Sequence, residues 1–162
     1  MKSQKVLFIA QAAVIAAIYV VLTIVFLPLS FGEVQVRFAE ALTILPYFTP
    51  AAIPGLFVGC IIANILGGAI LPDIIFGSLA TLIGALFSYV LRKNKFLVPL
   101  PPILANALVV PFVLYYGYGI DLPIPIMMLT VGIGEIISCG IMGMILLFSL
   151  KKYRHIIFRK TT

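Results

Sequence analysis

Val6–Leu27 reads VLFIAQAAVIAAIYVVLTIVFL, and this stretch decides the fold. It carries no charge from end to end, and Pro28 closes it. About 20 apolar residues are enough for a helix to cross the hydrocarbon core of a bilayer. The run is too long for the apolar core of a secretory leader, and no polar mature sequence follows Ala12–Ala17. The rest of the chain agrees. Of 162 residues, 63% are hydrophobic and only 10% charged, and mean hydropathy is +1.24. That composition excludes an ordinary soluble domain. Continuous apolar runs in place of alternation exclude a β-barrel.

Five further segments follow. A short or tilted helix is predicted over about Arg37–Phe48, before Pro50 and Pro54. Others are predicted over about Ile53–Ile70, Asp73–Leu91, Leu100–Tyr118 and Ile126–Leu150. Pro101-Pro102 suits a helix start, and Leu29–Val36 reads as a loop or strand-like link. The fold class is therefore all-α, an integral membrane bundle of about six transmembrane helices. Residues 1–162 form a single transmembrane substrate-binding domain with a basic tail from about 151.

The net charge is +6, and the basic residues other than Arg37 fall in clusters that end apolar runs: Lys2 and Lys5; Arg92, Lys93 and Lys95; and the five basic residues from Lys151 to Lys160. Such a bias orients a protein with its basic loops in the cytoplasm, and it adds weak attraction to anionic lipid. Six spans put both termini on that side. This distribution is not that of a nucleic-acid partner. The expected location is the bacterial plasma membrane, multi-pass.

Ionisable residues at membrane depth are costly unless paired or functional. Glu33, Arg37, Glu40, Asp73 and Glu135 lie beside or inside the apolar runs, four carboxylates against one guanidinium. Arg37 and Glu40 are three apart and can pair on one helix face. Asp73 follows Pro72 and suits an N-cap as well as a ligand contact. Asn64 and Asn106 serve either as interhelical glue or as ligand contacts. Glu135 sits near the midplane with no partner close in sequence. Asp121 belongs to a solvated loop. Phe31, Phe38, Tyr47 and Phe48 could stack on a planar ligand, although ordinary packing accounts for each. Together these residues describe an acidic pocket open to the outside.

Two small-xxx-small pairs, Ala12/Ala16 and Ala13/Ala17, lie on the first helix, and Gly55/Gly59 lie on the third. Such spacing lets helices approach closely. The alanine patch also suits docking against another protein. Cys60 and Cys139 are isolated and read as small buried hydrophobes, with no metal site and no disulfide. No Walker A, H-E-x-x-H or G-x-S-x-G sequence is present, so the chain carries no engine of its own and is not read as an enzyme.

Three stretches carry a resemblance: Leu29–Thr81 (LSFGEVQVRFAEALTILPYFTPAAIPGLFVGCIIANILGGAILPDIIFGSLAT), Leu100–Ala107 (LPPILANA) and Val131–Cys139 (VGIGEIISC). The chain resembles the queuosine-precursor transporter family, substrate-binding S components of energy-coupling-factor (ECF) importers. The resemblance implies a six-helix membrane subunit that captures a 7-deazaguanine such as preQ0 or preQ1 from outside. It implies partnership with a transmembrane coupling subunit and two cytoplasmic ATPases. ATP is then used by those partners, and this chain carries no cofactor. Ala12, Ala13, Ala16 and Ala17 match the helix-one feature that contacts the coupling subunit. Glu33, Arg37, Glu40, Asn64, Asp73, Asn106 and Glu135 become the candidate substrate-binding residues. One carboxylate can accept the adjacent N–H and NH2 of a guanine-like edge, with Glu135 or Glu40 the first choice, and an aminomethyl cation would need a second. Two rivals stand beside this reading. One is a stand-alone, proton-coupled transporter of a nucleobase-like or vitamin-like solute, using Glu135 as proton site. The other is an intramembrane enzyme or assembly factor.

Overall fold

The computed structural model describes residues 2–30 and 36–158, with the backbone alone at 2, 3, 29, 30, 155 and 156. The described residues are helical, with no strand among them. Four helices are long and apolar enough to cross a membrane. α1 (Lys2–Val25) contains the first span. α3 (Asp73–Val90), α4 (Leu100–Gly117) and α5 (Ile124–Lys152) provide the others. Between α1 and α3 lie two shorter elements, a 3-10 helix (Phe38–Tyr47) and α2 (Ala52–Leu66). The six predicted segments therefore all form, but two are shorter than a full span.

Each departure has a local cause. The segment after Arg37 winds as a ten-residue 3-10 helix with Pro46 inside. At ~2.0 Å rise per residue it reaches about 20 Å, a third farther than an α-helix of equal length. Side chains three apart eclipse in this geometry, so Glu40, Thr43 and Pro46 stack on one buried face. α2 stops at Leu66, four residues before the predicted end at Ile70. Gly67 caps it, and Gly68 takes φ +75°, a left-handed conformation that favours glycine. Of the predicted link Leu29–Val36, residues 31–35 lie outside the described residues. Leu27–Ser30 forms one helical turn.

The packing is inverted relative to a water-soluble bundle. Large apolar side chains point outward on the long helices, among them Val6, Ile9, Val14, Phe87, Leu104, Leu129 and Ile145. The buried interior is rich in small residues: Ala39, Ala52, Ala63, Ala80, Ala85, Cys60, Ser78, Ser88 and Ser138. In lipid, apolar surface gains nothing by hiding from other apolar surface, so helices associate through close backbone approach. α1 and α2 meet in this way. A Cβ added at Gly55 would lie 2.7 Å from the Ala12 carbonyl oxygen, and one at Gly59 would lie 3.0 Å from the Ala16 Cα. A second close approach joins α3 to α4, where a Cβ at Gly84 would lie 2.8 Å from the Pro102 Cα.

The basic clusters share one end of the bundle. Lys95, after α3, lies 4.7 Å from the Phe148 ring near the end of α5, and Phe158 of the tail stacks on Phe48. The opposite end carries the 3-10 helix start, the α2–α3 turn and the end of α4.

Candidate functional site

Every charged residue buried among the described residues belongs to one polar network: Arg37, Glu40, Asp73 and Glu135. It lies away from the basic end and has two connected parts.

The upper part is built on Arg37. The Arg37 Nη2 donates to Asn64 Oδ1 at 3.1 Å and lies 4.0 Å from Asp73 Oδ2. Asn64, two residues from the end of α2, donates onward to the Asp73 carbonyl at 3.3 Å. The Tyr118 hydroxyl donates to Asp73 Oδ2 at 3.0 Å and accepts the Ile70 N–H at 3.4 Å, tying the end of α4 to the α2–α3 turn. Partial burial, reinforced by the Asp73 charge, raises the Tyr118 phenol above its ordinary pKa. Gly77 makes room for the carboxylate: a Cβ there would fall 2.8 Å from Asp73 Oδ1.

The deeper part joins α1, the 3-10 helix, α4 and α5. Asn106 and Glu135 each sit eleven residues from their helix ends, about 16 Å down at 1.5 Å per residue. At that shared depth Asn106 Nδ2 donates to Glu135 Oε1 at 2.9 Å. The Cys139 thiol donates to Glu135 Oε2 at 3.1 Å. Glu40 accepts a hydrogen bond from the Tyr19 hydroxyl of α1. The Thr43 hydroxyl donates to the Glu40 carbonyl at 2.6 Å, one 3-10 turn back. One oxygen from each of Glu40 and Glu135 and the Cys139 sulfur all lie within 4.8 Å of one another, close enough to share a cation.

The long helices bear π-helical turns at these hubs. Asp73–Gly77 begins with Asp73, Val113–Gly117 ends just before Tyr118, and Ile136–Met142 directly follows Glu135 and contains Cys139. A π-turn inserts an extra residue and re-aims the side chains beside it, and such turns are frequent at functional sites.

Among the sequence candidates, Arg37, Glu40, Asn64, Asp73, Asn106 and Glu135 converge. Glu33 lies outside the described residues, as does Phe31. Three expectations are corrected. Arg37 makes its ion pair with Asp73 and not with Glu40, because Arg37 precedes the helix with extended backbone (φ −86°, ψ 105°) and does not share its face. Asp73 makes no N-capping hydrogen bond through its side chain, which turns into the bundle. The open acidic pocket is instead a packed network whose members largely satisfy one another. Two grooves, of about 570 and 430 Å³, are lined by other residues, nearly all apolar.

Ring packing takes up the candidate aromatics. Phe38 stacks on Phe26 at 4.2 Å between centroids, Tyr47 sits edge-on to Phe48, and Phe48 stacks on Phe158. Asp121 is exposed, in keeping with a solvated loop. Of the four alanines read as a docking patch, Ala12 and Ala16 face Gly55 and Gly59 inside the bundle, whereas Ala13 and Ala17 are exposed.

Sequence reasoning missed Tyr19, Thr43, Cys139, Tyr118 and Gly77. Cys139 stands one helical turn after Glu135, and Thr43 one 3-10 turn after Glu40, so spacing alone could have found both. Tyr19 and Tyr118 come from distant segments and carry no such mark.

Comparison with known proteins follows the same lines. The QueT transporter family matches residues 9–152. The "Queuosine precursor transporter QueT" of Lactococcus lactis subsp. cremoris (strain MG1363) is 35% identical over 85 residues, covering 51% of this chain and 50% of that protein. The chain thus aligns with about half the length of that curated relative. No solved structure matches. With the family match spanning nearly all of its membrane bundle, the chain belongs to the QueT transporter family.

Proposed function

We propose that this chain is the substrate-binding membrane subunit of an ECF-type importer, capturing a 7-deazaguanine queuosine precursor for ATP-driven uptake. The observation that carries the reading is the convergence of Glu40, Asp73, Glu135, Arg37, Asn64 and Asn106 away from the basic end. A nitrogen-rich planar base presents several donors and one carbonyl on a single edge, and carboxylates beside amides complement it. Family membership supports the substrate class. In this reading the termini are cytoplasmic, all six helices complete the membrane domain, and the polar network faces the exterior. The network is packed shut, so binding exchanges internal hydrogen bonds for bonds to the base.

The ATP-hydrolysing work belongs to partner subunits, and the exposed Ala13/Ala17 pair is the surface offered to the coupling subunit. The proximity of Glu40 and Glu135 favours a second reading, a proton-coupled transporter working alone. Uptake of labelled base into proteoliposomes separates the two. Uptake that requires the coupling subunit, the ATPases and ATP is expected. Uptake by this chain alone, driven by a proton gradient, would overturn the ECF reading.

A further inference from the structure

The larger apolar groove lies outside the polar network and ends beside the basic tail. Its volume is about 570 Å³, within the roughly 300–1,000 Å³ usual for a bound small molecule. Val14 and Ile18 of α1 form one wall, Leu45 of the 3-10 helix the floor, and Leu150 of α5 the other wall. The tail closes the bottom with Ile157 and Phe158, the latter held by its stack on Phe48. Gln11 is the one polar lining side chain, and it accepts a hydrogen bond from the Thr49 hydroxyl at 3.0 Å. On α1 the lining runs from Ala10 to Leu22, about 18 Å at 1.5 Å per residue. Half of a hydrocarbon core of about 30 Å is about 15 Å, so the groove is as long as one leaflet is thick.

The charge at its mouth is a separate observation. Leu150 and Ile157 line the groove and bracket Lys151, Lys152 and Arg154, all exposed. The described carboxylates lie elsewhere: Glu40, Asp73 and Glu135 in the polar network, and Asp121 in the loop before α5. No described acid therefore offsets the positive rim. An apolar slot one leaflet long that opens at a basic rim complements an amphiphile with an anionic head group. The smaller groove has equally apolar walls, among them Phe76, Leu108 and Phe112, but no basic residue flanks them in the chain.

We propose that the larger groove is a binding site for one anionic phospholipid: an acyl chain fills the slot, and Lys151, Lys152 and Arg154 hold the phosphate. The site is independent of the base bound by the polar network. It also leaves Ala13 and Ala17 clear, since neither lines the groove. Bound there, the lipid ties α1 to the end of α5 across the 3-10 helix.

The test is native mass spectrometry of the delipidated full chain in detergent, titrated with dioleoyl phosphatidylglycerol or dioleoyl phosphatidylcholine. One phosphatidylglycerol should be retained at least about tenfold more strongly than phosphatidylcholine, the expectation for two or three basic side chains close to one anionic head group. Combined Lys151→Gln, Lys152→Gln and Arg154→Gln should bring that ratio toward unity. Val14→Trp fills the groove from an exposed position and should reduce retention of both lipids at least about fivefold, whereas Leu129→Trp, equally outward but away from the groove, should change neither. Equal retention of the two lipids by the wild type would overturn the proposal, and this comparison needs no variant to fold. Unchanged retention in Val14→Trp would overturn it as well, by reducing the preference to diffuse attraction at the basic end. If Val14→Trp instead abolished co-purification with the coupling subunit, or dissolved a dimer of this chain, while lipid retention stayed the same, a protein and not a lipid would cover the groove.

Discussion

Replacing Gly55 by alanine sets two effects of opposite sign against each other. Alanine is the better helix former, by about 1 kcal/mol. Against this, the new methyl carbon would sit 2.7 Å from the Ala12 carbonyl oxygen, 3.1 Å from Ile15 Cβ and 3.2 Å from Ala12 Cα. Ordinary van der Waals contact begins at 3.4 Å, so α1 must retreat by about 0.7 Å. Two of the three atoms are backbone and cannot rotate aside. Overpacking of this kind costs about 1–3 kcal/mol, which outweighs the propensity gain and predicts net destabilisation of up to about 2 kcal/mol. The displacement also reaches the site, because Tyr19 lies one turn beyond Ile15 on α1 and holds Glu40. Gly132→Ala is the control. It makes the same chemical change in α5, but its nearest neighbour is the Ala107 methyl at 3.8 Å, so it should be neutral or slightly stabilising. Thermal unfolding in detergent, followed by circular dichroism, compares the two. A Gly55→Ala midpoint equal to or above that of Gly132→Ala would refute the account of α1–α2 packing.

Three other outcomes are expected. Ala13→Leu or Ala17→Leu adds bulk on an exposed face and should leave base binding intact while reducing co-purification with the coupling subunit; normal co-purification would remove this face from the interface. Ala16→Leu differs in being buried against Gly59, and it should impair folding itself. The Tyr118–Asp73 hydrogen bond should show a pH signature. Because folding raises the phenol's pKa, the stabilisation from its neutral form is fully present below the ordinary value of 10.0 and is lost as pH rises toward the folded value. The difference in stability between wild type and Tyr118→Phe should therefore stay constant from neutral pH to mild alkalinity and shrink only above about pH 10. A difference that shrinks at lower pH would contradict it.

The individual elements show why some of this was readable and some was not. α1, α3, α4 and α5 were legible because an uninterrupted apolar run bounded by proline or a basic cluster has few alternatives in lipid. The second segment was legible only as something short. Its 3-10 winding depends on the packed face formed by Glu40, Thr43 and Pro46, which no propensity encodes. Glu40, Asp73 and Glu135 were legible as site candidates because a charge in an apolar run is costly wherever it points. Their tyrosine partners were not. Tyr19 and Tyr118 resemble any interfacial aromatic until α1 and α4 bring them to Glu40 and Asp73.

The sequence by itself determined that this chain partitions into lipid as helices, where its basic ends lie, and which acids demand an explanation. These follow from transfer free energies, which depend on residue type and run length. Only the tertiary structure decided that Arg37 serves Asp73, that Ala12 and Ala16 are consumed against Gly55 and Gly59 while Ala13 and Ala17 stay free, and that Glu40 meets Glu135. Those pairings depend on helix rotation and on π-turns. They are fixed by close backbone contact and hydrogen-bond geometry across elements far apart in the chain, which no local pattern records.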